Sequence, residues 1–99
     1  APYTATKGAV ANLTKGMATD WAKYGLQCNA IAPGYFDTPL NAALVADSEF
    51  SAWLEKRTPA GRWGKVEELV GACVFLSAAA SSFVNGHTLF VDGGITASL

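Results

Sequence analysis

Two short apolar runs, each shut by a glycine turn and held far apart by helical pattern, restrict this chain more than any other feature in it. The first is Gln27-Cys28-Asn29-Ala30-Ile31-Ala32, stopped by Pro33-Gly34. The second is His87-Thr88-Leu89-Phe90-Val91-Asp92, entered through the turn Asn85-Gly86 and closed by Gly93-Gly94. The residues between them carry helical pattern, so the unit reads strand, helices, strand. A crossover of this kind joins parallel strands and turns right-handed. Two strands do not make a sheet that stands alone. The expected fold is α/β: a long helix followed by a βαβ unit, with residues 1–99 forming the C-terminal part of a doubly wound parallel sheet whose earlier strands lie outside the sequence.

Ahead of both runs lies a stretch without a breaker, from about residue 3 to residue 24. Val10, Leu13, Met17, Trp21 and Tyr24 recur every three or four positions and are expected to form its buried stripe. Asn12, Lys15, Thr19 and Lys23 fall on the opposite face, and Gly25 is expected to end the helix as a left-handed cap. Tyr3 and Lys7 stand one turn apart near the start, so phenol and ammonium project from one face. That face is on the side of the apolar stripe, which predicts that both point into a cleft. A phenol is a poor base at neutral pH, and a neighbouring cation favours its ionised form. A tyrosine so placed can take a proton from an alcohol or give one to a carbonyl. The Tyr-x-x-x-Lys spacing also arises readily by chance, and most such pairs are surface neighbours. It gains weight only from the motifs downstream of it.

Immediately after the first strand come Pro33, Gly34, Tyr35, Phe36, Asp37 and Thr38, at a strand's carboxyl end, where open parallel sheets bind ligands. Gly34 admits a ligand or a backbone at close range. Thr38-Pro39 reads as an N-cap and first turn whose amides suit a phosphate or carboxamide, with an ordinary strand-to-helix turn as the alternative. Residues 39–57 read as two short helices broken near Asp47-Ser48, with Phe50, Trp53 and Leu54 as anchors. Such a pair suits a lid over a substrate cleft and suits simple packing equally. Thr58-Pro59-Ala60-Gly61-Arg62-Trp63-Gly64 is rich in turn residues and leads to a helix starting near Val66, where Glu67 and Glu68 complement the dipole. Leu69, Val70, Cys73, Val74 and Leu76 give that helix a wide apolar face, expected to be largely buried.

Composition narrows the partners. The 99 residues carry a formal net charge of -1 without a basic run, which gives nucleic acid no electrostatic footing. No stretch approaches the roughly 20 apolar residues of a membrane span. Cys28 and Cys73 sit in apolar runs without paired or metal-type spacing and read as buried reduced thiols, fitting a cytoplasmic protein. The single histidine, His87, has no companion at ligand spacing, so no metal site is expected. The chain starts almost inside a helix and without Met, which reads as a piece of something longer.

Taken in order, Tyr3-x-x-x-Lys7, Asn29-Ala30-Ile31-Ala32-Pro33-Gly34, Thr38 and Val91-Asp92-Gly93-Gly94 resemble the C-terminal part of the short-chain dehydrogenase/reductase family. The resemblance covers essentially the whole chain. Ala32-Pro33-Gly34-Tyr35-Phe36, Lys56-Arg57-Thr58-Pro59-Ala60, Arg62-Trp63-Gly64 and Phe83-Val84-Asn85-Gly86-His87 are similar to members that act on gluconate and 5-ketogluconate, although sugar, steroid and acyl reductases share most of these features. The resemblance implies a Rossmann-type fold and an NAD(P)-dependent oxidoreductase interconverting an alcohol and a ketone on a polyol or sugar acid. It implies NADP or NAD as cofactor, Tyr3 as catalytic acid/base, and Lys7 assisting it while hydrogen-bonding the nicotinamide ribose. Pro33, Gly34, Phe36 and Thr38 join Tyr3 and Lys7 as cofactor-binding residues, Thr38 reaching the carboxamide or diphosphate. Tyr35 and a lid from Asn41 to Trp53 would border substrate.

A homo-oligomer, tetramer or dimer, built partly on the first helix, is implied as well, with no nucleic-acid or membrane partner. The family's glycine-rich phosphate turn, its NAD-or-NADP selector and its catalytic serine normally precede the tyrosine. None is in these residues, so the 99-residue chain alone is expected to be inactive. Val66 stands where the family often places proline. Two alternatives remain: a non-catalytic self-associating fragment, and a member resembling the 3-oxoacyl-carrier-protein reductases.

Overall fold

Helix α1, Pro2–Trp21, opens the computed structural model, which describes residues 1–98. A 3₁₀ turn, Ala22–Tyr24, extends it, and Gly25 stops it at φ 76°, its amide returning to the Ala22 carbonyl. Only glycine adopts that left-handed backbone without cost, so the sequence writes this stop openly. Strand β1, Ala30–Pro33, takes only the second half of the first apolar run and continues through Pro33, while strand β4, Thr88–Val91, occupies the centre of the second, and the two pair with each other. The Ala30 amide donates to the His87 carbonyl, and four residues on Gly34 donates to Val91. The register thus advances in the same sense on both strands, which is parallel pairing, as the crossover required.

Between them come β2, Phe36–Asp37; a 3₁₀ turn, Pro39–Asn41; α2, Ala42–Ala46; and α3, Ser48–Arg57. Next are β3, Gly64–Lys65, a 3₁₀ turn Val66–Leu69, and α4, Val70–Leu76. The break between α2 and α3 falls at the expected place and has a visible cause. Asp47 leaves helical geometry and its Oδ1 accepts the amides of Glu49 and Phe50 at 3.0 and 3.2 Å, capping α3. The pairing of β2 with β3, parallel with Phe36 opposite Gly64, has no counterpart in the sequence pattern. Two residues cannot display a period of two.

The chain resolves into two compact units, Ala1–Ile31 with Cys73–Leu89, and Ala32–Ala72 with the residues from Phe90 on. In the first, the expected stripe of α1 is not what is buried. Thr14 and Ala18 are buried and Met17 is half-buried, whereas Val10, Leu13, Trp21 and Tyr24 are exposed. Small residues win because α1 is met by the 85–86 turn. Asn85 Nδ2 donates to the Ala18 carbonyl at 3.0 Å, and Gly86 lies against the Ala18 methyl. Thr14 tolerates burial because its hydroxyl returns to the Val10 carbonyl at 2.8 Å. The wide face of α4 is likewise open: Leu69 and Leu76 are half-buried, but Val70, Cys73 and Val74 are exposed. Cys28 is half-buried, so neither free thiol is fully enclosed. In the second unit Leu54 and Phe36 form the buried centre.

Candidate active site

Tyr3 and Lys7 do share one face of α1. Helix formation starts at Pro2, where the missing amide costs nothing, and the Ala5 amide reaches back to the Ala1 carbonyl at 3.0 Å. One turn later the Lys7 ammonium lies over the Tyr3 ring, its Nζ 5.5 Å from the ring centroid, so the cation meets the π-face. Within its own unit no cleft encloses the pair among the described residues. Tyr3 is 73% exposed, and Lys7 is exposed too. The elements that pack on α1 in its own unit meet it at Thr14 and Ala18, and the residues of its first turns are exposed.

The Pro33–Thr38 corner belongs to the other unit. Gly34 has an immediate structural reason. A Cβ there would stand 2.7 Å from both Cα and Cβ of Asp92, so the close approach it permits is that of its own chain. The Phe36 ring is buried against Gly64, where an added Cβ would lie 2.7 Å from the ring, and the Phe36 carbonyl accepts Asn41 Nδ2 at 2.9 Å. That ring is core, leaving only the backbone of Phe36 for any ligand. Thr38 occupies the N-cap position in extended backbone, but its side chain makes no capping bond; its carbonyl accepts the Asn41 amide at 2.9 Å. A half-buried hydroxyl is therefore left free of capping duty.

Tyr35, the expected substrate residue, is held edge-on by three rings: Phe50 at 6.0 Å, Trp53 at 6.3 Å and Trp63 at 6.1 Å between centroids. Edge-to-face pairs of this kind orient a ring as well as bury it. Phe50 also meets Trp53 at 5.5 Å and Trp63 at 5.9 Å. Phe50 and Trp53 stand out as anchors in the sequence; Trp63 does not, because it sits inside a run that reads only as a turn. A cavity of about 70 Å³ opens beside this cluster, lined among others by Tyr35, Thr58, Arg62, Glu68 and Asp92.

Two charged features at that cavity also escape sequence reasoning. Arg62 grips Glu68 bidentately, Nη1 to Oε1 at 2.7 Å and Nη2 to Oε2 at 2.9 Å, and the same Oε1 accepts the Lys65 amide at 2.9 Å. The Arg62 hydrogen bonds, then that amide, lower the Glu68 carboxyl to about 2. Asp92 accepts the Gly94 amide at 2.9 Å through Oδ1, and the Thr96 amide and hydroxyl through Oδ2. The Thr96 hydroxyl foremost, with those amides, holds its carboxyl below the usual range. With Gly93 and Gly94 at φ 67° and 96°, Asp92 folds the backbone through Thr96 back onto its own carboxylate, so the Val91–Gly94 motif is a turn builder.

Beside the Pro33–Gly34 corner, the Thr38 hydroxyl, free of capping duty, has the donor and acceptor chemistry that a carboxamide takes. The remaining glycines offer no diphosphate cradle among the described residues: Gly8 and Gly16 lie inside α1, and Gly71 inside α4. No group of three His, Cys, Asp or Glu among the described residues could hold a metal ion, and none of their helices is long and apolar enough to cross a membrane.

Residues 1–96 match the family model described as Enoyl-(Acyl carrier protein) reductase. Gluconate 5-dehydrogenase of Gluconobacter oxydans (strain 621H) is 75% identical over 99 residues, which is 100% of this chain and 39% of that protein. The 5-keto-D-gluconate 5-reductase of Escherichia coli (strain K12) is 62% identical over 94 residues, 95% of this chain and 37% of that protein. The crystal structure of a gluconate 5-dehydrogenase from Burkholderia cenocepacia J2315, in complex with NADP and tartrate, superposes with a TM-score of 0.94 at 69% identity. It covers 100% of this chain and 39% of that one. The chain thus spans about two-fifths of the length of the relatives it matches.

Proposed function

This chain belongs to the short-chain dehydrogenase/reductase family, and from that footing we propose that the protein carrying it is an NAD(P)-dependent oxidoreductase interconverting gluconate and 5-ketogluconate, or a closely related sugar acid or polyol. The observation that carries the substrate class is the 75% identity, over all 99 residues, to a gluconate 5-dehydrogenase. The same likeness favours a sugar acid over an acyl-carrier-protein thioester. In this reading residues 1–99 are the C-terminal portion of one Rossmann-type domain, and the phosphate cradle and catalytic serine come from elsewhere in it. The chain alone is then inactive.

Tyr3 is the acid/base: its phenol oxygen takes the hydroxyl proton when the alcohol is oxidised and returns one when the ketone is reduced. Lys7, one turn along on the same face, stabilises the negative charge that develops on that oxygen and donates to the nicotinamide ribose. Pro33, Gly34 and the backbone of Phe36 form the shelf for the nicotinamide, with the Thr38 hydroxyl at its carboxamide. Tyr35 borders substrate. NADP, the cofactor in the Burkholderia enzyme, supplies or accepts the hydride when bound, with NAD as the alternative. A cytoplasmic homo-oligomer, tetramer or dimer, completes the proposal, supported by the uncovered apolar side chains of α1.

The decisive experiment is Tyr3→Phe in the full-length enzyme. Turnover of gluconate should fall by about 100- to 10,000-fold, the usual worth of a positioned acid/base. NADP binding, followed by fluorescence titration, should stay within a small factor of the parent. Undiminished turnover removes Tyr3 from the chemistry.

A further inference from the structure

Trp63 does more than fill space. Its indole Nε1 donates to Ser51 Oγ at 3.1 Å, and that hydroxyl in turn donates to the Val45 carbonyl at 2.9 Å. One relay thereby ties the Thr58–Gly64 turn to the first turn of α3 and to the C-terminal end of α2. The Val45 carbonyl lies at the helix break, where backbone acceptors lose their intrahelical partners. The same indole packs edge-on against Tyr35 and tilted against Phe50. Apolar contact alone would hold the rings loosely; the directed hydrogen bond fixes which way the indole lies.

We propose that Trp63, acting through Ser51, is a positioning residue that latches the α2–α3 pair and thereby sets the orientation of the Tyr35 ring toward substrate. It rests on the proposed function only in assigning Tyr35 to the substrate side. Trp63 does not itself touch the reacting atoms. A latch of this kind acts on substrate binding, so its removal raises KM and leaves the proton chemistry of Tyr3 alone.

The test uses the full-length enzyme. Trp63→Phe keeps an aromatic ring and deletes the Nε1–H donor. Ser51→Ala deletes the acceptor, and Ser51→Thr keeps a hydroxyl. Each of the first two variants should raise KM for gluconate about five-fold, the scale of one neutral hydrogen bond, with kcat within about two-fold. The double variant should be no worse than either single one, Ser51→Thr should restore KM, and chymotryptic cleavage at Phe50 and Trp53 should quicken in both single variants. Unchanged KM in both single variants overturns the positioning role, and so does a double variant whose effect is the product of the two. Cleavage needs no substrate. If the parent fails to turn over any sugar acid, the proposed function falls while the latch is still judged by proteolysis, and unaltered cleavage overturns it.

Discussion

Helix α1 and the segment from Phe36 to Glu68 hold themselves together in opposite ways. The helix runs 20 residues and buries only Thr14 and Ala18, so along most of its length it relies on its own backbone ladder. The other segment is made of short pieces, none longer than the 10 residues of α3, yet each is fastened by a side chain to the next. Asp47 caps α3, Asn41 holds the Phe36 carbonyl, Ser51 bridges α2 and Trp63, and Arg62 grips Glu68. Short helices are marginal in water and need such fastening. The proposed proton-transfer pair therefore stands on a scaffold that is locally regular and sparsely packed, and the proposed substrate side on one that is locally irregular and densely tied.

The sharpest way to break that comparison is to make one change in both places. Leu54→Ala removes a fully buried side chain, 0% exposed, and should cost about 3 kcal/mol in denaturant titration. Leu13→Ala, at 58% exposure, should stay within about 0.5 kcal/mol in the monomer. Equal losses would mean that the α1 stripe is covered in solution. Glycines give a second matched pair. Gly34→Ala drives a methyl into the Asp92 backbone and should cost about 2 kcal/mol. Gly8→Ala meets nothing within 4 Å in the interior of α1 and should stabilise by about 1 kcal/mol, read by the same titration.

The smallest effect sharpens the contrast electrostatically. Glu68 falls from an ordinary 4.5 to about 2 on folding, so its contribution is fully present above pH 4.5 and is lost as pH falls from there toward 2. Because both partners are exposed, added salt should shrink it further. Melting curves between pH 5 and 2.5 should show a shallower acid slope in Glu68→Gln than in the parent. An identical slope would mean that the Arg62 grip is not formed in solution.

Local signals carry the backbone plan well. Gly25, the Asp47 break, Asn85-Gly86 and the centre of the second apolar run are each written in a few adjacent residues with one mechanism apiece. Burial is another matter. The apolar stripe of α1 announces a face without saying what meets it, and its contact at Ala18 depends on Asn85, 67 positions away. Trp63 and Arg62 are noticed only as part of a run that carries the resemblance, and what their side chains hold stays hidden because a turn-rich run shows no periodicity. Of the site, the shared face of Tyr3 and Lys7 follows from helical spacing alone. The buried Phe36 ring and the demand of Asp92 on Gly34 need tertiary geometry.

The amide of Gly86, donated at 2.8 Å to the Cys28 carbonyl, bears on how this protein ages. Asn-Gly is the dipeptide most prone to spontaneous deamidation, because the glycine nitrogen, once stripped of its hydrogen, closes on the asparagine side chain to a succinimide. Here that hydrogen is engaged, and the Asn85 amide is itself occupied at both ends, Oδ1 by the Cys28 amide and Nδ2 by the Ala18 carbonyl. Folding thus shields a chemically fragile bond, and deamidation at Asn85 is expected to require that these hydrogen bonds open first.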